Sequence, residues 1–76
     1  MTPEKALGKA IKVQRVEAEL SQEQLAEQCE VDRTYISNIE RGNRQPSYKT
    51  LRLIAAALKT KASELIRDAE QREQSE

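Results

Sequence analysis

Histidine is missing from the sequence altogether, and cysteine occurs once, at Cys29. These two scarcities exclude an intramolecular disulfide and the usual zinc sites built from His and Cys. Without His, acid–base catalysis would fall to carboxylates, lysines or a tyrosine, and 76 residues leave little room for a substrate cleft. No enzyme activity, catalytic residue, metal or cofactor is expected, and nothing implies a small-molecule ligand. Two prolines and two glycines are too few for the turns of an all-β domain. Aromatics make up 3% of the chain, so Leu, Ile, Val and Ala must build the core. No stretch approaches the roughly 18 apolar residues of a membrane span, and the N-terminus has no apolar run of signal length. The composition predicts one small, all-α, cytoplasmic domain.

What is plentiful is charge, with 13 basic and 13 acidic residues in balance. Taken alone, that balance argues against a nucleic-acid partner. The distribution along the chain differs. Residues 21–32 hold Glu23, Glu27, Glu30 and Asp32 and no basic residue, whereas Arg33, Arg41, Arg44, Lys49 and Arg52 face Glu40 alone in residues 33–52. One basic segment can meet phosphates while the remainder keeps the protein in solution.

Five helical segments follow from spacing and punctuation. Thr2 is a candidate cap and Pro3 a first helical residue for a helix over about 3–18, with Leu7, Ala10, Ile11 and Ala18 at helical spacing. Lys5, Lys9 and Lys12 share another face, and Gly8 either costs about 1 kcal/mol or admits a close helix. Ser21 and Gln24 form a capping box, with Leu20 and Leu25 as its hydrophobic staple, opening a helix over about 22–29. Cys29 completes the apolar face of that helix with Leu25 and Ala26, and reads as a core residue rather than a reactive thiol. Asp32 is expected to cap a third, short helix near 33–41, stapled by Val31 and Ile36 and ended by Gly42 in the left-handed region. After the loop "NRQP", Ser47 caps a helix over about 47–58 with Leu51, Ile54, Ala55 and Leu58 inward. A last helix over about 62–70 carries Ala62, Leu65, Ile66 and Ala69, and the polar residues 71–76 are expected to fray. Residues 1–70 thus form a single domain.

Two short helices separated by Glu30, Val31 and Asp32 make a helix-turn-helix, in which the second presents a polar ridge sized for a major groove about 12 Å wide. The stretch "LSQEQLAEQCEVDRTYISNIERGNRQPSYKTLRLIAAAL" resembles the Xre, or lambda-repressor-like, family of bacterial and phage regulators. The resemblance rests on "SQEQLA", "YISNIERG" and the "PS…TL" opening of the fourth helix, and extends over about residues 7–66. It implies a compact five-helix fold whose third helix reads double-stranded DNA, usually as a two-fold dimer. Within the family, "VDRTYISNIERG" is similar to the controller proteins of restriction–modification systems. An antitoxin, or another protein-interaction module on the same fold, is the alternative.

Arg33 and Thr34 open the reading helix, and Arg33 can fork onto guanine O6 and N7. The resemblance matches Arg33, Thr34, Ser37 and Asn38 to base-contacting positions. Gln22, at the start of the second helix, faces a phosphate by virtue of the free N–H groups and dipole there. Arg41, Asn43 and Arg44 follow the reading helix and suit backbone contacts, and Tyr35 either joins them or packs against a neighbouring helix. The resemblance also implies an ion pair between Arg15 and Glu40. Family members commonly place glycine where this chain has Glu19, Glu30 and Lys59. Leu53 lies off the inward stripe of its helix, and with Ala57, Leu65, Ile66 and Ala69 it predicts a self-complementary homodimer face.

Overall fold

The computed structural model describes residues 1–74. Helix α1 spans Pro3–Glu17, α2 Gln22–Cys29, α3 Arg33–Glu40, α4 Tyr48–Ala57 and α5 Ala62–Gln74. Three of the starts carry the caps expected of them. The Thr2 hydroxyl accepts from the Lys5 N–H, and the Ser47 hydroxyl accepts from Thr50. Ser21 and Gln24 close a reciprocal box, each side chain accepting from the other's backbone N–H. Asp32 departs from expectation: it stands at the cap position of α3, yet its side chain makes no capping hydrogen bond. Val31, just before it, packs against the core that contains the fully buried Ile36.

The first four helices end by one device. The chain turns left-handed at Glu19, Glu30, Gly42 and Lys59, with φ of 61, 59, 81 and 59°. The next N–H then reaches back over the turn, Leu20 to Arg15 O at 3.1 Å, Val31 to Ala26 O at 3.0 Å, Asn43 to Asn38 O and Thr60 to Ala55 O at 2.9 Å. These bonds satisfy the last carbonyls of each helix. Only Gly42 adopts this conformation without a side chain to strain it. The glycine-free break between α2 and α3 is therefore a genuine tight turn, with Glu30 in the costly place.

Packing fixes where α3 can lie. Helix α1 runs along α5 and crosses α3, while α2 packs on α3 and α4. Ile11, Leu25, Ile36, Ile39, Ile54 and Leu65 fill the centre, all at most 1% exposed. Cys29 is buried with them, and burial pushes its thiol up from the ordinary value. The α1–α3 crossing depends on Gly8, where a Cβ would stand 2.3 Å from the Ile39 carbonyl oxygen. Of the two readings of that glycine, close approach is the one realised.

Three further expectations change. Ala18 is exposed, and the inward place on the last turn of α1 belongs to the buried Arg15. Helix α5 runs on to Gln74 instead of fraying after residue 70, helped by the Arg72–Asp68 pair at 3.1 Å. Residues 75 and 76 of the expected tail lie outside the described residues. Leu65 and Ala69 are 1% and 5% exposed, spent on the protomer's own core against α1 rather than on a dimer face. Among the described residues, no helix is long and apolar enough to cross a membrane.

Candidate nucleic-acid interface

Helix α3 has two unlike sides. Ile36, Ile39 and Glu40 point inward and are buried. Arg33 and Thr34 are exposed, and Ser37 and Asn38 are half-exposed on the opposite side. The eight-residue helix thus carries an outward ridge of one guanidinium, two hydroxyls and one amide, with no apolar residue among the four.

The ridge is aimed by a buried clasp. Arg15 Nε donates to Glu40 Oε2 at 2.6 Å and Arg15 Nη2 to Glu40 Oε1 at 3.1 Å, a two-pronged pairing of α1 with the end of α3. The side chains are 11% and 2% exposed. Arg15 Nη1 also donates to the Leu20 carbonyl at 2.7 Å, and Gln22 Nε2 donates to Glu40 Oε1 at 3.0 Å. A carboxylate so placed has its charge and its hydrogen-bonding capacity met, which is what makes an ion pair tolerable in a core. The same atoms tie α1, the α1–α2 turn, α2 and α3 to one point. Gln22 accordingly spends an amide hydrogen on Glu40, and keeps one for a partner at the N-terminus of α2. Its link to a residue 18 positions away carries no local signal in the sequence.

Beyond α3 the chain stays close to the ridge. The Arg44 guanidinium sits 5.0 Å from the centroid of the Tyr35 ring, so Tyr35 packs partly against the core while its face holds a cation. Arg41 Nη2 donates to Asn38 Oδ1 at 2.7 Å. Asn43 is exposed. The loop is pinned to the start of α1, because Gly42 lies against Lys5 and Gln45 donates to Glu4 at 3.3 Å. From the sequence alone Lys5 belongs only to a basic face of α1. Its backbone and Cγ lie against Gly42 of the loop after α3. Arg33, Thr34, Ser37, Asn38, Tyr35, Arg41 and Arg44 are thus gathered along α3 and the loop that follows it, with Gln22 held through Glu40 and Asn43 in the same loop.

The expected dimer residues are not gathered in the same way. Leu53 and Ile66 are 40% and 41% exposed, Ala57 is half-buried, and Leu65 and Ala69 are in the core. The exposed apolar groups on α4 are Leu53, Ala56 and Tyr48, which line one shallow groove with Lys49 and Arg52.

A five-helix domain that clamps a short third helix against the second so that four polar side chains face out is a helix-turn-helix DNA-binding domain. The helix-turn-helix family model matches residues 11–65. Control protein C.MunI of Mycoplasma sp is 43% identical over 63 residues, covering 83% of this chain and 85% of that protein. The immunity repressor protein of Bacillus phage phi105 is 40% identical over 60 residues, which is 79% of this chain but only 42% of the repressor. The wild-type restriction–modification controller protein C.Esp1396I has a crystal structure that aligns with a TM-score of 0.86 at 30% identity, over 100% of this chain and 97% of that one. The chain belongs to the helix-turn-helix family of DNA-binding regulators and is close to restriction–modification controller proteins.

Proposed function

We propose that this chain is a sequence-specific transcriptional regulator that binds a near-palindromic operator as a homodimer, and that it serves as the controller protein of a restriction–modification system. The observation that carries the reading is the polar outer ridge of α3, fixed in direction by the buried Arg15–Glu40 pair. Laid in a major groove, the ridge brings Arg33 and Thr34 to base edges first, with Ser37 and Asn38 one turn on. Gln22, Tyr35, Arg41, Asn43 and Arg44 flank it and take the phosphates, contacts that position the domain and by themselves carry no base information. The controller role is supported by C.MunI and C.Esp1396I, which match over 85% and 97% of their lengths, whereas the phi105 immunity repressor matches over 42%.

Dimerisation through the outer side of α4 and α5 sets two reading helices about one DNA turn, roughly 34 Å, apart. Leu53 on α4 and Ile66 on α5 are exposed and Ala57 is half-buried, so all three are free to contribute apolar surface to it. Two-fold symmetry makes such a patch complementary to itself. Selection of duplexes from a random pool, followed by sedimentation of the protein alone and on a selected duplex, tests both parts. Enrichment of a two-fold symmetric sequence bound by two protomers is expected. Failure to enrich any sequence defeats the reading, and a monomer at micromolar concentration that binds single half-sites defeats the dimer.

A further inference from the structure

We infer that Arg41 is a specificity-determining residue that fixes which base Asn38 can read, turning Asn38 from an adenine reader into a donor-only reader of guanine or thymine. The inference rests on the DNA-reading role of α3 proposed above.

An asparagine recognises adenine by using both ends of its amide: Nδ2 donates to N7 while Oδ1 accepts from the N6 amino group. Here Arg41 Nη2 donates to Asn38 Oδ1 at 2.7 Å. The direction of that bond does not depend on how the amide is oriented, because a guanidinium has donors only and the group facing it has to be the oxygen. One lone pair of Oδ1 is therefore taken, and a full positive charge stands beside the other. A second donor such as the adenine N6 amino group meets both crowding and an unfavourable field. The two Nδ2 hydrogens remain, and they suit neighbouring acceptors: O6 and N7 of guanine, or O4 of thymine.

The local structure favours the pairing. Arg41 follows α3 directly and lies three residues after Asn38, the spacing that puts side chains on one face of a helix. The Asn38 carbonyl closes the left-handed turn by accepting from Asn43 at 2.9 Å, which keeps the backbone of both residues in place. Arg44, the other cation of this loop, is occupied over Tyr35 and leaves Asn38 to Arg41.

The test is a binding profile in which each base pair of a selected operator is varied in turn, for the wild type, Asn38→Ala and Arg41→Ala. Asn38→Ala identifies the pair that Asn38 reads, as the one position whose preference it flattens. The wild type is expected to prefer guanine or thymine there. In Arg41→Ala the freed oxygen shifts that preference toward adenine by about 5-fold or more, normalised to each variant's best site. With Asn38→Ala already present, Arg41→Ala should cause no further change of preference at that pair. A wild-type preference for adenine at the Asn38 pair overturns the inference without any need for the Arg41 variant. An unchanged preference in Arg41→Ala overturns it too, since Arg41 then releases Asn38 on docking. Either outcome leaves the regulator reading intact, whereas a wild type that selects no sequence defeats that reading first.

Discussion

Gly8 and Ile39 meet backbone to backbone. A Cβ at residue 8 would lie 2.3 Å from the Ile39 carbonyl oxygen and 2.6 Å from that of Glu40. Because the obstacle is main chain, no rotamer change relieves it. Gly8→Ala is expected to push α1 off α3 and to destabilise the domain by about 1–3 kcal/mol, although alanine is the better helix former. Each kcal/mol lowers the melting temperature by roughly 4–8 °C in a domain of this size, and thermal unfolding reads the change.

Removing one partner of the Arg15–Glu40 pair should be worse than removing both. Arg15→Met leaves a carboxylate that is 2% exposed with only the Gln22 amide for company, and a loss of about 3 kcal/mol is expected. The double change Arg15→Met with Glu40→Leu strands no charge and should recover a good part of that loss. Urea unfolding of the two singles and the double gives the comparison. A double variant less stable than either single would contradict the charge argument.

The three non-glycine left-handed turns differ in the sign of their side chains. Glu30→Gly is expected to stabilise by about 1 kcal/mol, by relieving the Cβ clash at φ 59° and by removing an anion from the negative end of α2. Glu19→Gly should behave alike. Lys59→Gly loses a favourable cation at the end of α4, so its gain should be smaller. A lower melting temperature for Glu30→Gly would contradict this account of the turn.

Arg33 and Arg44 should fail in different ways. Arg33→Ala is expected to weaken the preference for the selected operator over a scrambled duplex by roughly 1–3 kcal/mol, with a smaller effect on scrambled DNA. Arg44→Ala should weaken both alike and reduce the log–log salt slope by about one. Tyr35→Ala, which removes the ring beneath the Arg44 guanidinium, should move binding in the direction of Arg44→Ala.

Local chemistry was largely legible in the sequence. The Ser21–Gln24 box, the Leu20 and Val31 staples and the inward stripe of α4 are all written within a few residues of where they act. What depends on distant partners was not. A stripe of Leu65, Ile66 and Ala69 announces a buried face, but spacing alone does not say whether α1 of the same protomer or another molecule covers it. The extra turn of α5 carries the local Arg72–Asp68 pair, an i,i+4 spacing that is present in the sequence but outweighed there by the polar composition. Asp32 had the right residue type at the right position, yet its side chain makes no capping hydrogen bond, unlike Ser21 beside the equally packed Leu20. The ridge itself was legible as four positions, but not its fine wiring. Arg41 on Asn38, Arg44 on Tyr35 and Gln22 on Glu40 are choices among several reachable partners.

The division of α3 into a buried anchoring side and an exposed polar side has a consequence for descent. Ile36, Ile39 and Glu40 hold the helix, while Arg33, Thr34, Ser37 and Asn38 leave the core untouched. Exposed substitutions of that kind usually change stability by no more than about half a kcal/mol. These outward positions can therefore drift, or be exchanged as a set, on an unchanged chassis. Two lineages of this domain can come to recognise different DNA while remaining interchangeable as folded proteins.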